Sequence, residues 1–244
     1  MQRNIAIQII RKVRKDYNTI AKEWEQSRFR PSKLKIKLVQ RVMPGAKVLD
    51  AGCGNGLIVE EALKRGAVYI GVDFSDDLIK LAKKRFKKEI KEKRAVFKKA
   101  NVLKLPFRAE SFDFVISFAV AHHIPSDKLR LQFFKELHKL LKPGGEAIIT
   151  VWNLLNEWTS ERYKVNEQLE HPPTGLQKGD LFIPWKGTKG KVIDRYVHLF
   201  FKEELQKLAR EAGFTSAKID FYTKQGEKKK NGEEMVLYAR TSSQ

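Results

Sequence analysis

The ten residues Lys47-Val48-Leu49-Asp50-Ala51-Gly52-Cys53-Gly54-Asn55-Gly56 (KVLDAGCGNG) decide the fold. Lys47 to Ala51 is short and apolar enough to be a buried strand. It runs into a turn with glycine at every second position. Leu57 to Arg65 then reads as a helix closed by Gly66. In an open α/β sheet, ligands bind at this junction of strand, turn and helix. Glycines let the backbone press against a ligand with no Cβ in the way. The next strand, Val68 to Asp73, ends in a carboxylate that can accept hydrogen bonds from both hydroxyls of a ribose. An adenosine-type cofactor is the expectation. The spacing is G-x-G-x-G, whereas the pyrophosphate-binding turn of dinucleotide sites is G-x-G-x-x-G.

Downstream, strands and helices alternate, which predicts a doubly wound, mostly parallel α/β sheet of Rossmann-like type. Asp76 opens a long helix with Leu78, Leu81, Ala82, Phe86 and Ile90 on one face. Arg94–Lys98 is a third strand, and the unbroken apolar run Phe112–Phe118 a fourth, central one. A helix spans Asp127–Leu141, a turn Pro143–Gly145, and a fifth strand Glu146–Trp152. After a helix at Glu203–Ala212, Ala217–Tyr222 and Met235–Ala239 form a closing antiparallel pair joined by the basic turn KQGEKKKNG. Two segments lie outside this scheme. Residues 1–44 read as a helical extension across the carboxyl edge of the sheet. Residues 153–195, rich in Pro, Gly and aromatics, form an insertion of the length usual for lids and binding elements. The expectation is a single domain over 1–244.

The chain is long enough for one sizeable core, and no apolar run is long enough to span a bilayer. The opening MQRNIAIQIIRKVRKD lacks the apolar stretch and cleavage site of a signal peptide, so a cytoplasmic location is expected. Cys53 is the single cysteine, which excludes an internal disulfide and a cysteine-built zinc site. Lys plus Arg number 49 against 29 Asp plus Glu, a net charge of +20. Ion-pair networks use both signs, so the excess favours a polyanionic partner such as nucleic acid over a merely solvated surface.

The D-x-G-x-G-x-G loop at Asp50–Gly56, Leu105-Pro106-Phe107, SFDFVIS at 111–117 and LLKPGGEAIIT at 140–150 resemble the class I S-adenosylmethionine-dependent methyltransferases. The resemblance covers about Val48 to Val151. It implies Gly52 and Gly54 near the methionine moiety, Asp73 on the ribose and Asn101-Val102 beside the adenine. Gly56, Phe74 and Ser117 complete the cofactor set, with Asp50 as the residue that orders the turn. The family usually carries Asp at the adenine contact, and this chain has Asn101.

Further motifs narrow the acceptor. They are YNTIAKEWEQSRFRP at 17–31, ISFAVAHHIPS at 116–126, VWNL at 151–154, IPWKGTKG at 183–190 and RYVHLFFKEEL at 195–205. These resemble the eukaryotic enzymes that methylate the carboxylate of 5-carboxymethyluridine at the tRNA wobble position. They also resemble the methyltransferase domain of the animal AlkB-like fusion protein. After Arg30-Pro31 the family tends to have Trp, and this chain has Ser32. The resemblance implies tRNA as partner. It also implies a small zinc-binding activator protein on the sheet edge, for which Arg94–Lys98 is the candidate.

A carboxylate is already ionised near neutral pH, so its methylation requires no general base. It requires cations and donors that hold the anion in line. Arg28 and Arg195 are the candidate anion or phosphate clamps, and His122 or His123 the orienting donor. Tyr17, Trp152, Trp185 and Tyr196 are candidates for the acceptor wall, with Trp152 either stacking on the uracil or filling core. His198, between Val197 and Leu199, reads equally well as a core residue. Lys83–Lys99 and Lys224–Lys230 could follow an RNA backbone. Two other readings share the fold: a small-molecule methyltransferase, which does not call for +20, and a non-catalytic RNA-binding protein.

Overall fold

The computed structural model describes residues 1–27, 29–187 and 192–243. Helices α1 (Arg3–Ser27) and α2 (Lys33–Val39) precede strand β1 (Lys47–Ala51). Then follow α3 (Val59–Lys64), β2 (Val68–Asp73), α4 (Asp76–Arg85), α5 (Lys87–Lys91), β3 (Ala95–Lys99) and β4 (Phe112–Phe118). Beyond a 3-10 turn at Ala121–His123 come α6 (Asp127–Leu140), β5 (Leu141–Trp152), α7 (Glu157–Arg162) and α8 (Val165–Glu170). The chain ends with β6 (Asp180–Lys186), β7 (Val192–His198), α9 (Lys202–Glu211), β8 (Ser216–Tyr222) and β9 (Glu234–Arg240).

The main sheet has the order β3-β2-β1-β4-β5-β9-β8. β1 to β5 pair in parallel, and β9 pairs antiparallel with both β5 and β8. The strand order reverses between β1 and β4, so the glycine loop after β1 opens at the switch point, where crossovers diverge to the two faces and leave a crevice. One face carries a core built on Phe133, Phe134, Leu137 and Leu205 from α6 and α9. The other carries Leu38, Val39, Val59, Ile79 and Phe86 from α2 to α4 and the residue after α4.

The sequence predicts one helix from Asp76 through Ile90, and the structure breaks it at Phe86, with φ −106° and ψ 34°. The break turns the Phe86 ring onto Phe97 of β3, centroids 5.8 Å apart and planes at 21°. The same ring packs over Gly56, where an added Cβ would lie 2.8 Å from Phe86 Cε2. Burial of a large ring outweighs continuation of the helix. β5 starts at Leu141 rather than Glu146: the Pro-Gly-Gly turn is an irregularity inside the strand, between the pairs Phe112–Leu141 and Phe114–Glu146.

α1 is the longest helix among the described residues. Its buried stripe, Ala6, Ile9, Val13, Ile20 and Ala21, faces the protein. Ile9 and Val13 pack with Tyr196 of β7. At about 1.5–3 kcal/mol for each fully buried Ile or Val, this stripe is enough to dock a helix that would be marginal alone. Residues 153–195 are not an open loop. They hold α7, α8 and most of the hairpin β6–β7, which runs on to His198, pairs with no other strand among the described residues and packs on a small core of Leu154, Val165, Leu181, Ile183 and Val197. No described helix is long and apolar enough to cross a membrane.

Candidate active site

The glycine loop is held from beneath. Gly52 N–H and Cys53 N–H both donate to the Val72 carbonyl, at 2.8 and 2.9 Å. Gly52 has φ +89°, and an added Cβ would lie 2.2 Å from Val120 Cγ2, so this position requires glycine. Asp73 Oδ2 accepts Gly54 N–H at 2.9 Å, and its Oδ1 accepts Ser75 N–H at 2.9 Å. Asp73 therefore orders the loop, a task the sequence assigns to Asp50. Asp50 instead accepts the Tyr69 hydroxyl at 2.6 Å, beneath the cavity. Burial pushes its pKa up to about 7, against the lowering effect of that hydrogen bond. Cys53 is buried, and burial raises its thiol pKa well above the ordinary value, which fits a packing residue.

Above the loop lies a cavity of about 530 Å³, within the range of small-molecule sites. Of the expected cofactor residues, Asp50, Gly52, Gly54, Asp73, Phe74, Asn101 and Val102 line it. An added Cβ at Gly54 would meet nothing nearer than Leu78 Cδ1 at 4.0 Å, so this glycine leaves open space on the cavity side. Asn101 Oδ1 accepts Leu103 N–H at 3.0 Å, which fixes the amide orientation and turns its NH₂ group away from that bond. Two expected residues do not line the cavity. Gly56 lies under the Phe86 ring, and Ser117 is fully buried, its hydroxyl donating to the Ala51 carbonyl at 2.7 Å to tie β4 to β1.

On the acceptor side, Tyr17, His123, Trp152 and Trp185 line the cavity. Trp24, Ser32 and Lys35 join them from α1, α2 and their connection. Ser32, where the family tends to have Trp, caps α2 by accepting Lys35 N–H at 3.3 Å. Tyr196 is a correction: it is fully buried away from the cavity, and its hydroxyl donates to Asp180 Oδ1 at 2.6 Å. Arg28 and Thr188–Lys191 lie outside the described residues.

The adjacent histidines divide their work. His123 Nδ1 lies 2.7 Å from the Tyr196 carbonyl, which can only accept, so Nδ1 carries the proton. Burial holds its pKa down at about 3, so the ring is neutral and Nε2 is an acceptor for the Tyr17 hydroxyl at 2.7 Å. With its only N–H engaged, His123 is not the orienting donor; it anchors Tyr17 of α1. His122 is fully buried and does not line the cavity. Its Nδ1 accepts Trp152 N–H at a long 3.4 Å, and burial lowers its pKa well below the usual range, so the proton sits on Nε2. That Nε2–H has no partner. The His122 ring lies 4.5 Å from the Trp152 ring.

Arg195 is 5% exposed, and its guanidinium lies 5.0 Å from the Trp152 ring centroid. Its Nε and Nη1 are buried with no hydrogen-bond partner, and it has no acidic partner among the described residues. Arg195 does not itself line the cavity; it packs against Trp152, which does, and a buried cation without an anion of its own is costly unless something supplies one. Behind it, Tyr196, His198 and Arg130 gather on Asp180. His198 bridges Asp180 and Glu204 at 2.9 and 3.1 Å. Burial opposes its charged form, but those two carboxylates outweigh it and the pKa is raised. His198 is therefore part of a buried ionic cluster rather than plain core.

A folded pKa below the ordinary 6.5 means that the unfolded chain binds more protons. The stability that neutral His123 contributes is full above about pH 6.5 and falls by about 1.4 kcal/mol per unit below it. Asp50, raised to about 7, works in the opposite sense across the same range, so wild type alone does not isolate the effect. The unfolding free-energy gap between wild type and His123→Asn is expected to shrink from pH 7 to pH 5. A gap constant with pH would show that the histidine is not buried neutral.

Comparison with known proteins agrees with this geometry. Residues 49–149 match the family described as "Methyltransferase domain". The tRNA (carboxymethyluridine(34)-5-O)-methyltransferase of Saccharomyces cerevisiae is 32% identical over 184 residues, 73% of this chain and 58% of that protein. That of Arabidopsis thaliana is 32% identical over 167 residues, 66% of this chain and 39% of that protein. An S-adenosylmethionine-dependent methyltransferase structure from Methanosarcina mazei superposes with a TM-score of 0.66 at 24% identity, covering 85% of this chain and 98% of its own. Residues 49–149 carry a methyltransferase domain. The methyltransferase also shares its fold with a chain of the Haloferax volcanii complex between the Trm112 methyltransferase activator and a methyltransferase, with a TM-score of 0.65 and 17% identity over 93% of this chain and 97% of that one. The chain spans about two fifths and three fifths of the length of the Arabidopsis and budding-yeast relatives.

Proposed function

We propose that this methyltransferase esterifies the carboxylate of a 5-carboxymethyl-type wobble uridine in tRNA, working as one unit over residues 1–244 in the cytoplasm. The observation that carries the proposal is Arg195: a buried guanidinium with two unpaired nitrogens, packed against Trp152, which lines the cavity. A carboxylate acceptor supplies the missing anion, and arginine can bind it through two parallel hydrogen bonds. The relatives' name and the charge of +20 support tRNA as the molecule that carries it.

The cavity residues suit the cofactor. Asp73, with both oxygens already taking one amide each, retains lone pairs for the ribose hydroxyls. Asn101 presents an NH₂ donor, which suits an adenine ring nitrogen rather than the exocyclic amine. Gly54 leaves room for the methionine end. Bound there, the cofactor supplies a methyl group on a sulfonium, which needs no activation beyond alignment with a nucleophile. The protein's part is then to hold the carboxylate, exclude water and move no proton. In this reading Arg195 attracts the anion from its place against Trp152, while His122, fully buried and off the cavity, packs on that indole and is not the orienting donor. Tyr17, anchored by His123, closes the cavity from α1. A zinc-binding activator is proposed at β3, the outer strand of the sheet.

The test is transfer of labelled methyl to tRNA bearing 5-carboxymethyluridine, with unmodified tRNA as control and the activator supplied. Base-labile label on the modified tRNA alone supports ester formation. No label on either, with cofactor binding intact, overturns the reading in favour of a small-molecule acceptor.

A further inference from the structure

At the corner between β5 and α7, Trp158 is 53% exposed, among the most exposed large apolar side chains of the described residues. Two cations lie close to its ring. The Arg162 guanidinium lies 5.0 Å from its ring centroid and Lys224 Nζ lies 5.8 Å from it. Neither cation has an acidic partner among the described residues. Lys224 also lines the cavity, so the indole stands one side chain away from the acceptor's wall.

The platform is rigid. Thr159 Oγ1 donates to the Asn153 and Asn156 carbonyls at 2.9 and 2.8 Å, which pins the start of α7. Asn153 Nδ2 donates to the Gly232 carbonyl at 2.9 Å, and Asn156 Nδ2 donates to the Asn231 carbonyl. These bonds fasten α7 to the β8–β9 connection. That connection exposes Lys228, Lys229 and Lys230, of which Lys228 is engaged by Asp220 at 2.7 Å. An exposed indole with two cations close to its ring, on a fixed base beside further lysines, is the arrangement that binds single-stranded nucleic acid. The base stacks on the ring, and the cations meet the adjoining phosphates.

We infer that Trp158 is a stacking platform for an unpaired nucleotide adjacent to the methylated one, with Arg162 and Lys224 as its phosphate contacts. The inference rests on the tRNA reading and adds to it a second binding point for the strand. Gripping a neighbouring base sets the register in which the acceptor enters the cavity.

The test is a binding titration on the full chain, read by anisotropy. The probes are a labelled single-stranded uridine octamer and an abasic oligomer with the same number of phosphates. Trp158→Ala is expected to weaken octamer binding roughly tenfold or more and to leave abasic binding and cofactor affinity unchanged. Trp158→Tyr restores most of the affinity, because a ring face returns. Lys224→Gln lowers the salt dependence for both probes. Equal affinity of wild type and Trp158→Ala for the octamer overturns the platform while leaving the tRNA reading intact. Failure of wild type to bind either oligomer or tRNA overturns both.

Discussion

Arg195→Met is expected to lower kcat/KM for methyl transfer to the modified tRNA by about 100-fold or more, with the cofactor dissociation constant unchanged. The magnitude is that of removing a preorganised charged donor from the reacting centre. The wild-type guanidinium is buried with two unpaired nitrogens, so its removal takes away a destabilising element together with the proposed anion clamp. Met has similar length and keeps contact with Trp152. The thermal midpoint is therefore expected to stay or rise while activity collapses. A purely structural Arg195 would give the reverse, lower stability with kcat preserved in the surviving fold. Arg195→Lys is expected to recover little, because an ammonium cannot form the paired contact. Steady-state kinetics and a thermal melt on the same preparations decide the matter.

Asp73→Ala is expected to weaken S-adenosylmethionine binding by about 100-fold or more and to lower stability by about 2–4 kcal/mol. Two causes add. The ribose loses its acceptor, and the Gly54 and Ser75 amides lose theirs. A buried N–H left unpaired costs about 1–3 kcal/mol. Asp73→Asn separates the two: its remaining oxygen serves one amide while its NH₂ group confronts the other. It is expected to fall between wild type and alanine in a denaturant melt and in a calorimetric titration. If Asp73→Ala melted like wild type, the loop would not depend on this carboxylate.

On the candidate cofactor side, Gly52, Gly54, Asp73 and Asn101-Val102 were legible as cavity residues because their signals are local, whereas the places of Gly56 and Ser117 off the cavity were not. The loop, Asp73 and Asn101-Val102 each stand at a strand end, and the strands are apolar runs bounded by glycine or charge. The break at Phe86 was not legible, since it depends on a ring packing against Gly56 and Phe97, both distant in sequence. On the acceptor side, Arg195 and Tyr196 are neighbours on β7, and successive residues of a strand point to opposite faces. Both could not face the cavity, and that rule alone would have removed one of them; in the fold neither lines it, because Arg195 is buried against Trp152. The buried cluster on Asp180 did leave a signal. Arg130 sits on the apolar stripe of α6 with Phe133, Phe134 and Leu137, and a charge there needs buried partners. His122 and His123 could not be told apart, because their tautomers follow from the Tyr196 carbonyl and the Trp152 amide.

The cavity wall divides by position in the chain. Its candidate cofactor side is drawn from residues 50–103, within the methyltransferase motif region, whereas Tyr17, Trp24, Ser32, Trp152, Trp185 and Lys224, the acceptor-side residues other than His123, come from segments that precede or follow that region. Under the proposed function, donor chemistry and acceptor choice fall largely on different stretches of the gene. A lineage could exchange one acceptor for another by altering the helical leader, the hairpin insertion and the last strand connection, with no change to the residues that hold the methyl donor. Selection on the two halves can proceed separately, and a graft of those three segments would carry specificity with it.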